Sequence, residues 1–167
     1  YGATTEGVAV AASGFNAETF APTYTLMYGA PGRSLALEVA RRLGALLGQM
    51  GVARIEGVSV RYYGQLAGAS NPLIVSSMLE GLLRTVLSSP VTPVNARNVA
   101  AERGIEVAES HSTRTRSYTS LLSLKLHTES GERWVEGTVV HGEPRLALLN
   151  GVQVDAPVGG TMLLLMN

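Results

Sequence analysis

Residues 94–110, VNARNVAAERGIEVAES, contain the clearest local signals of fold in this chain. Asn95 stands where it can cap a short helix by accepting a hydrogen bond from a free N–H group of the first turn. The alanines that follow favour helix, and Gly104 supplies the left-handed residue with which helices commonly end. Residues 105–108 then alternate a branched apolar side chain with a charged or small one, which is typical of a half-buried strand. The stretch therefore predicts a short helix that leads through a glycine directly into a strand.

The sequence before this stretch predicts two longer helices and one strand. Apolar residues recur at three- and four-residue steps over residues 34–50, which indicates an amphipathic helix ending at Gly51. On that helix Gly44 and Gly48 would allow the close approach of another helix or strand. Residues 54–66 alternate as a strand does, with a bulge expected at Gly57 or Gly64. Residues 71–87 predict a helix that starts at an Asn-Pro pair and is apolar nearly all round, so it should lie deep in the fold.

The second half of the chain predicts a series of strands. Residues 118–127 and 132–141 form a hairpin pattern, followed by strands at residues 144–149, 152–155 and 161–166. Asn150-Gly151 is the strongest turn signal, because a two-residue hairpin turn needs φ > 0 at both central positions. We therefore expect an α+β fold in two layers, with a mainly antiparallel sheet and the helices of the first half packed on one face.

The composition limits the possible partners and sites. Lys and Arg total 13 and Asp and Glu total 13, so no overall field would attract nucleic acid or an anionic membrane. No apolar run approaches the roughly 20 residues that a membrane-spanning helix needs. The chain has no cysteine, which excludes disulfides and thiolate zinc ligands and fits a reducing compartment. We expect neither a nucleic-acid partner nor a membrane partner, and no metal site.

One polar segment is a candidate anion-binding site. Residues 111–117, HSTRTRS, place two arginines among hydroxyl groups in what we expect to be a loop between strands. Forked guanidinium donors beside hydroxyl and backbone N–H groups suit a phosphate or carboxylate. The candidate ligands are Ser112, Thr113, Arg114 and Arg116. The alternative is a solvated loop, because loops are generally polar.

The sequence predicts no catalytic or cofactor-binding residue. It lacks the glycine-rich fingerprint of nicotinamide-binding folds, the metalloprotease histidine pair and the nucleophile elbow of hydrolases. The three histidines are isolated in sequence, and two of them lie at the ends of one hairpin, so each is expected to be a solvated surface residue. A hydrolase that pairs His111 with Ser112 is an alternative, but no acidic residue stands at a position that would orient the histidine.

Several segments in one order resemble a known family. Residues 94–110 resemble the region after the catalytic domains in long-form D-3-phosphoglycerate dehydrogenases. Residues 71–83 resemble the preceding helix of that region, residues 136–139 and 144–151 its hairpin and Asn-Gly turn, and residues 160–166 the strand that leads into an ACT regulatory domain. The resemblance extends over residues 33–166 and implies an intervening, or allosteric substrate-binding, domain.

The resemblance implies a division of the chain and a parent enzyme. Residues 1–30 would be a remnant or linker from the upstream substrate-binding domain, and residues 31–167 the intervening domain. The parent would oxidise 3-phosphoglycerate with NAD in the first step of serine biosynthesis, in the cytoplasm or in an organelle of a eukaryote. NAD would bind outside this fragment, which would itself be non-catalytic.

The resemblance also implies a role for the fragment. The domain would self-associate as a homo-oligomer and bind phosphate or a 3-phosphoglycerate-like anion as an effector. Arg145 matches a basic residue of the family's anion site between subunits, whereas Pro157 stands where some members have a further basic residue. This departure leaves open a purely structural assembly spacer without a ligand. The similar domain of L-serine dehydratases leaves a different parent enzyme open as well.

Overall fold

The computed structural model describes residues 35–51, 53–68 and 72–165. Within these ranges the chain forms three helices, a short 3-10 turn and six strands. The helices are α1 (Leu35–Gln49), α2 (Pro72–Val86) and α3 (Ala96–Glu102), and the 3-10 turn is Gln65–Gly68. The strands are β1 (Ile55–Gly64), β2 (Glu106–Ser112), β3 (Ser120–Thr128), β4 (Gly131–Val140), β5 (Glu143–Leu149) and β6 (Val152–Pro157).

The strands form one mixed sheet in the order β2-β1-β3-β4-β5-β6. After β1 the chain passes through α2 and α3 and returns as β2, which is parallel to β1 because a helical crossover brings the chain back in the same direction. β3 pairs antiparallel with β1, and β4, β5 and β6 each pair antiparallel with the preceding strand through a short turn. The predicted α+β class with a mainly antiparallel sheet is confirmed.

Helices α1 and α2 pack against each other through glycines. A Cβ atom at Gly44 would overlap the backbone carbonyl of Met78, and one at Gly81 would overlap the carbonyl of Arg41. The two backbones are therefore closer than any side chain at these positions would allow. The close approach predicted for Gly44 and Gly48 occurs, and its partner is a helix.

The main core lies between these two helices and one face of the sheet. Alternate residues of the central strands point into it, and their burial is nearly complete: Val58, Val60, Tyr62, Leu122, Leu124, Leu126 and Val135. Three further buried apolar residues, Leu121, Ala147 and Leu148, do not belong to this cluster. Leu121 pairs with Tyr63 and Leu148 with Glu136, which places them on the face of the sheet turned away from the helices.

Most of the predicted glycine and turn positions are confirmed. Gly51 and Gly104 end their helices with φ of 70° and 72°, and Asn150 and Gly151 have φ of 48° and 88° as the hairpin turn requires. The register of β1 shifts between Ile55 and Gly57, so one of the two predicted bulge positions is correct. The start of α2 at Asn71 lies outside the described residues.

Two local predictions were wrong. The Asn95 side chain does not cap α3; its Oδ1 instead accepts a hydrogen bond from Thr92 N at 2.8 Å, because the chain already turns at residues 92–95. Residues 161–165 do not form a strand. They follow β6 at the edge of the sheet, where no further described strand pairs with them, and Leu163 and Leu165 remain 81% and 83% exposed.

None of the helices in the described ranges is long and apolar enough to cross a membrane. The predicted boundary at residue 30 lies outside the described residues.

Candidate anion-binding site

The face of the sheet turned away from the helices carries most of the predicted site residues, and we call it the open face. Alternation within each strand and the pairing between strands define it. Its members include Arg61, Tyr63, Ser123, Lys125, Trp134, Glu136, Thr138 and Arg145. The face thus combines cations, carboxylates and aromatic rings.

Residues 113–119 form a loop that is tied to the strands at both ends. Gly64 N donates to Arg114 O at 3.1 Å, and Gln65 N donates to Thr119 O at 2.9 Å. Farther across the sheet, Gln153 Nε2 lies 3.3 Å from Ser117 Oγ. The predicted loop begins two residues later than expected, because His111 and Ser112 are the last residues of β2.

Arg116 reaches from this loop over the open face to a buried carboxylate. Its Nη1 lies 2.7 Å from Glu136 Oε1, and the Glu136 side chain is only 4% exposed. The guanidinium also lies 5.1 Å from the ring centre of Tyr63 and 6.0 Å from that of Trp134. The buried charge of Glu136 is therefore compensated by Arg116, which two aromatic rings hold in place.

A second cation, Lys125, pairs with Trp134 across strands β3 and β4. Its Nζ is 5.5 Å from the indole centre and 3.0 Å from Glu132 Oε1. A hydrogen bond from Lys125 holds the pKa of Glu132 below its usual value, so this carboxylate stays ionised. The indole Nε1 donates to Ser123 Oγ at 2.9 Å, which fixes the ring on the sheet.

Arg145 lies on β5 at the other end of the open face. Its Nε donates to Asp155 Oδ1 at 2.6 Å and its Nη2 to Asp155 O at 3.2 Å. In the sheet Arg145 stands between Thr138 on one side and Pro157 on the other. A cation at position 157 would therefore lie directly beside Arg145, and proline leaves Arg145 without such a neighbour.

The structure brings three of the five predicted ligands to one surface: Arg116, Arg145 and Ser112, which pairs with Tyr63. Glu136, the partner of Arg116, and Thr138, the neighbour of Arg145, are two residues apart on β4 and share the open face. Arg114 forms no side-chain hydrogen bond or ion pair with any described residue, and Thr113 is exposed beside it. Arg116 and Arg145 each keep N–H donors beyond those used by their carboxylate partners.

Sequence reasoning missed the residues that position Arg116. Two different strands supply these residues, β1 for Tyr63 and β4 for Trp134 and Glu136. The order of the strands in the sheet decides whether they lie close together. The alternation of β4 was a usable signal, because it places Trp134, Glu136 and Thr138 on the same face. It did not reveal that Arg116 would cover them.

The geometry contradicts the hydrolase alternative. The His111 ring stacks on Tyr62 at 4.7 Å, and its Nδ1 is hydrogen-bonded to Ala67 O at 3.1 Å. Ser112 follows His111 on the strand and points to the opposite face, so its hydroxyl cannot be activated by that ring. Among the described residues, no cluster of three histidine or acidic side chains could hold a metal ion.

Tyr62 is also engaged on its polar side. Its hydroxyl donates to Glu109 Oε2 at 2.8 Å, and Arg97 Nη2 lies 3.4 Å from Glu109 Oε1. Burial, together with the Glu109 carboxylate, raises the pKa of Tyr62 well above its usual value, so the phenol stays protonated. His127 departs from the expected solvated state, because it is half-buried with Nε2 2.8 Å from Ser59 Oγ.

Comparison with known proteins places the fold in a family. Residues 35–150 match the D-3-phosphoglycerate dehydrogenase intervening domain. The chain is 35% identical over 130 residues to the D-3-phosphoglycerate dehydrogenase of Synechocystis, a match that covers 76% of this chain and 23% of that protein. It is 29% identical over 119 residues to the Bacillus subtilis enzyme of the same name, covering 71% of this chain and 23% of that protein.

A shorter similarity involves a different protein. Over 44 residues the chain is 52% identical to endonuclease MutS2 of Bacillus velezensis, which covers 26% of this chain and 6% of that protein. That share is too small to define a family. The match over residues 35–150, by contrast, includes the three helices α1, α2 and α3 and the strands from β1 to β5. The chain belongs to the D-3-phosphoglycerate dehydrogenase intervening domain family.

Proposed function

We propose that this chain is a regulatory and self-assembly domain of an NAD-dependent D-3-phosphoglycerate dehydrogenase, and that it binds phosphate or a substrate-like anion on its open face. The chain spans about a quarter of the length of the two D-3-phosphoglycerate dehydrogenases named above, because each match covers 23% of the relative. Hydride transfer and NAD binding would thus belong to other parts of the parent enzyme, which would act in the cytoplasm as a homo-oligomer. The family match favours this parent over L-serine dehydratase.

The observation that carries the proposal is the arrangement of Arg116 and Arg145 on one exposed surface. Their side chains are 36% and 24% exposed, so both guanidinium groups can be reached from solvent while their carboxylate partners hold them in place. Arg114, two residues before Arg116 in the same loop, is exposed and has no internal partner among the described residues. A planar guanidinium donates two parallel hydrogen bonds to a phosphate or carboxylate, which suits an anion that approaches this face.

One observation favours the assembly spacer without a ligand. Three cations of the open face already have a carboxylate within 3.0 Å: Glu136 for Arg116, Glu132 for Lys125 and Asp155 for Arg145. An incoming anion must share these cations with charges of its own sign, which weakens binding. Because position 157 is a proline, the open face lacks an additional cation there that would offset the competition between the anion and these carboxylates.

Thermal unfolding with graded phosphate and 3-phosphoglycerate tests the proposal. A ligand that binds only the folded chain stabilises it by RT ln(1 + [L]/Kd), about 2.7 kcal/mol at a hundredfold excess over Kd. We expect a saturable rise in Tm that is reduced in Arg145→Ala and Arg114→Ala but not in Arg84→Ala, an exposed arginine on α2. A flat response in the presence of a stable dimer, measured by sedimentation, would support the spacer instead.

Regulation makes a further demand on the anion. The anion must bind two arrangements of the subunits with different affinity, because a ligand with equal affinity for both does not shift the equilibrium between them. Sedimentation velocity with and without 3-phosphoglycerate measures this directly. A change in the distribution of oligomers that Arg145→Ala abolishes would link the site to assembly.

A further inference from the structure

A cleft on the helix side of the molecule has a charge balance quite different from that of the open face. It has a volume of about 740 Å³ and lies between α1, the start of β4 and the segment that follows β6. Its lining contains Arg41, Arg42 and Arg133 and, among the described residues, no acidic side chain. A volume of this size is within the range of small-molecule sites.

A carboxylate behind the cleft holds two of the arginines in position. Glu38 accepts hydrogen bonds from both Arg41 and Arg42, the latter from Nε at 2.8 Å. Burial opposes the ionisation of Glu38, but these bonds outweigh it and lower the pKa of the carboxyl group. The two guanidinium groups are therefore anchored at neutral pH, and their orientation is set before any ligand arrives.

Arg42 is further fixed by the segment after β6. Its Nη1 donates to Val158 O at 2.7 Å, and a Cβ atom at Gly159 would overlap the same guanidinium group. Glycine at position 159 thus leaves the space that Arg42 occupies. This close contact connects α1 with the segment that forms one wall of the cleft.

Donors remain available after these internal bonds are counted. Arg133 donates only to the carbonyl of its neighbour Glu132, at 3.1 Å, and pairs with no described carboxylate. A guanidinium group carries more N–H donors than these bonds use, so the cleft offers unsatisfied positive charge.

Most of the other side chains that line the cleft are apolar. They include Leu46 of α1, Met50 just after it, Leu149 of β5, and Met162 and Leu164 of the final segment. A bare inorganic anion would leave these side chains uncovered, whereas an anion with a short carbon skeleton would contact both parts of the cleft.

We propose that this cleft binds a small amphipathic anion, a phosphate or carboxylate group on a short apolar body, through Arg41, Arg42 and Arg133. The site is separate from the open face and does not depend on Arg145. The charged group lies against the guanidinium groups and the carbon skeleton lies against Met162 and Leu164.

Titration calorimetry of the 167-residue chain with phenyl phosphate tests the proposal. We expect saturable binding that is tighter than that of inorganic phosphate and absent for phenol. Arg133→Gln should weaken it at least about tenfold, because a hydrogen bond between charged groups is lost. Gln49 is exposed at the edge of the cleft, so Gln49→Glu should weaken binding and Gln49→Lys should strengthen it, each several-fold.

Two control variants separate this site from other cations. Arg84→Gln removes an exposed arginine from α2 and should leave the affinity for phenyl phosphate unchanged, whereas Arg145→Gln removes one from the open face and should reduce the total affinity less than Arg133→Gln does. Equal affinity in Arg133→Gln and the unmodified chain would overturn the proposal. So would equal binding of phenol, an affinity unaffected by either charge at position 49, or no measurable binding of phenyl phosphate.

Discussion

Replacement of Arg116 by methionine is expected to lower the free energy of unfolding by about 2–3 kcal/mol. The change removes the partner of Glu136, whose side chain is 4% exposed, and leaves a carboxylate buried without compensation. Loss of one partner from a fully buried pair costs about 3–5 kcal/mol. Arg116 is 36% exposed, so its half of the pair is partly solvated and the cost falls below that range.

A double-mutant cycle distinguishes the unpaired charge from lost packing. Glu136→Leu alone should cost only about 1 kcal/mol, since Arg116 can then turn its guanidinium group towards water. In Arg116→Met/Glu136→Leu no buried charge remains, and methionine still contacts the rings of Tyr63 and Trp134. The double variant should therefore be more stable than Arg116→Met alone, with a coupling energy of about 1–2 kcal/mol.

Urea unfolding at neutral pH provides the assay. The chain has one tryptophan, Trp134, whose ring lies 6.0 Å from the Arg116 guanidinium group, so circular dichroism should accompany its fluorescence. Arg61→Met is the matched control, because Arg61 lies 6.0 Å from the Tyr63 ring and bonds to Ser110 but to no buried carboxylate. A double variant that is no more stable than Arg116→Met would refute the reasoning.

Three further predictions follow from other parts of the structure. Gly44→Ala should lower the free energy of unfolding by about 1–3 kcal/mol despite the better helix propensity of alanine, since its Cβ would overlap the Met78 carbonyl; a more stable variant in urea unfolding would contradict this. Folding lowers the pKa of Glu38 from 4.5, so the ionised carboxylate stabilises the folded chain above that pH and this stabilisation is lost as the pH falls. The difference in free energy of unfolding between the unmodified chain and Glu38→Gln should therefore shrink on acidification. A difference that stays constant with pH would contradict this prediction. Pro157→Arg places a second cation beside Arg145 and should tighten phosphate binding about tenfold by calorimetry, with unchanged affinity as the opposing result.

The sequence predicted those features of the fold that depend on neighbouring residues. Periodicity located both long helices, and the glycines at positions 51 and 104 ended their helices where expected. The two failures have a common cause. Asn95 lost its capping role because Thr92 competes for the same side-chain oxygen, and residues 161–165 lack a neighbouring strand in the described part of the chain. Both depend on what lies nearby in space.

The contacts of the candidate site depend even more on residues that are distant in sequence. The polar composition of residues 111–117 pointed to Arg116, and family resemblance pointed to Arg145. Neither could reveal that Glu136, 20 positions away from Arg116, would be its buried partner, because that contact depends on strand order and on the path of the loop. The arginines of the cleft come from α1 and β4, and no local pattern relates them.

Charge balance decides how the two surfaces should rank as anion sites. On the open face the cations Arg116, Lys125 and Arg145 each have an internal carboxylate, so an anion there must compete with bonds that the chain has already formed. The lining of the cleft has three arginines, and the one carboxylate that orders two of them lies behind the wall. In the cleft three guanidinium groups thus share one internal carboxylate, whereas each of these open-face cations has a carboxylate of its own. It follows that this chain should bind an amphipathic anion more tightly in the cleft than on the open face, and that Arg133→Gln should reduce the total affinity more than Arg145→Gln does.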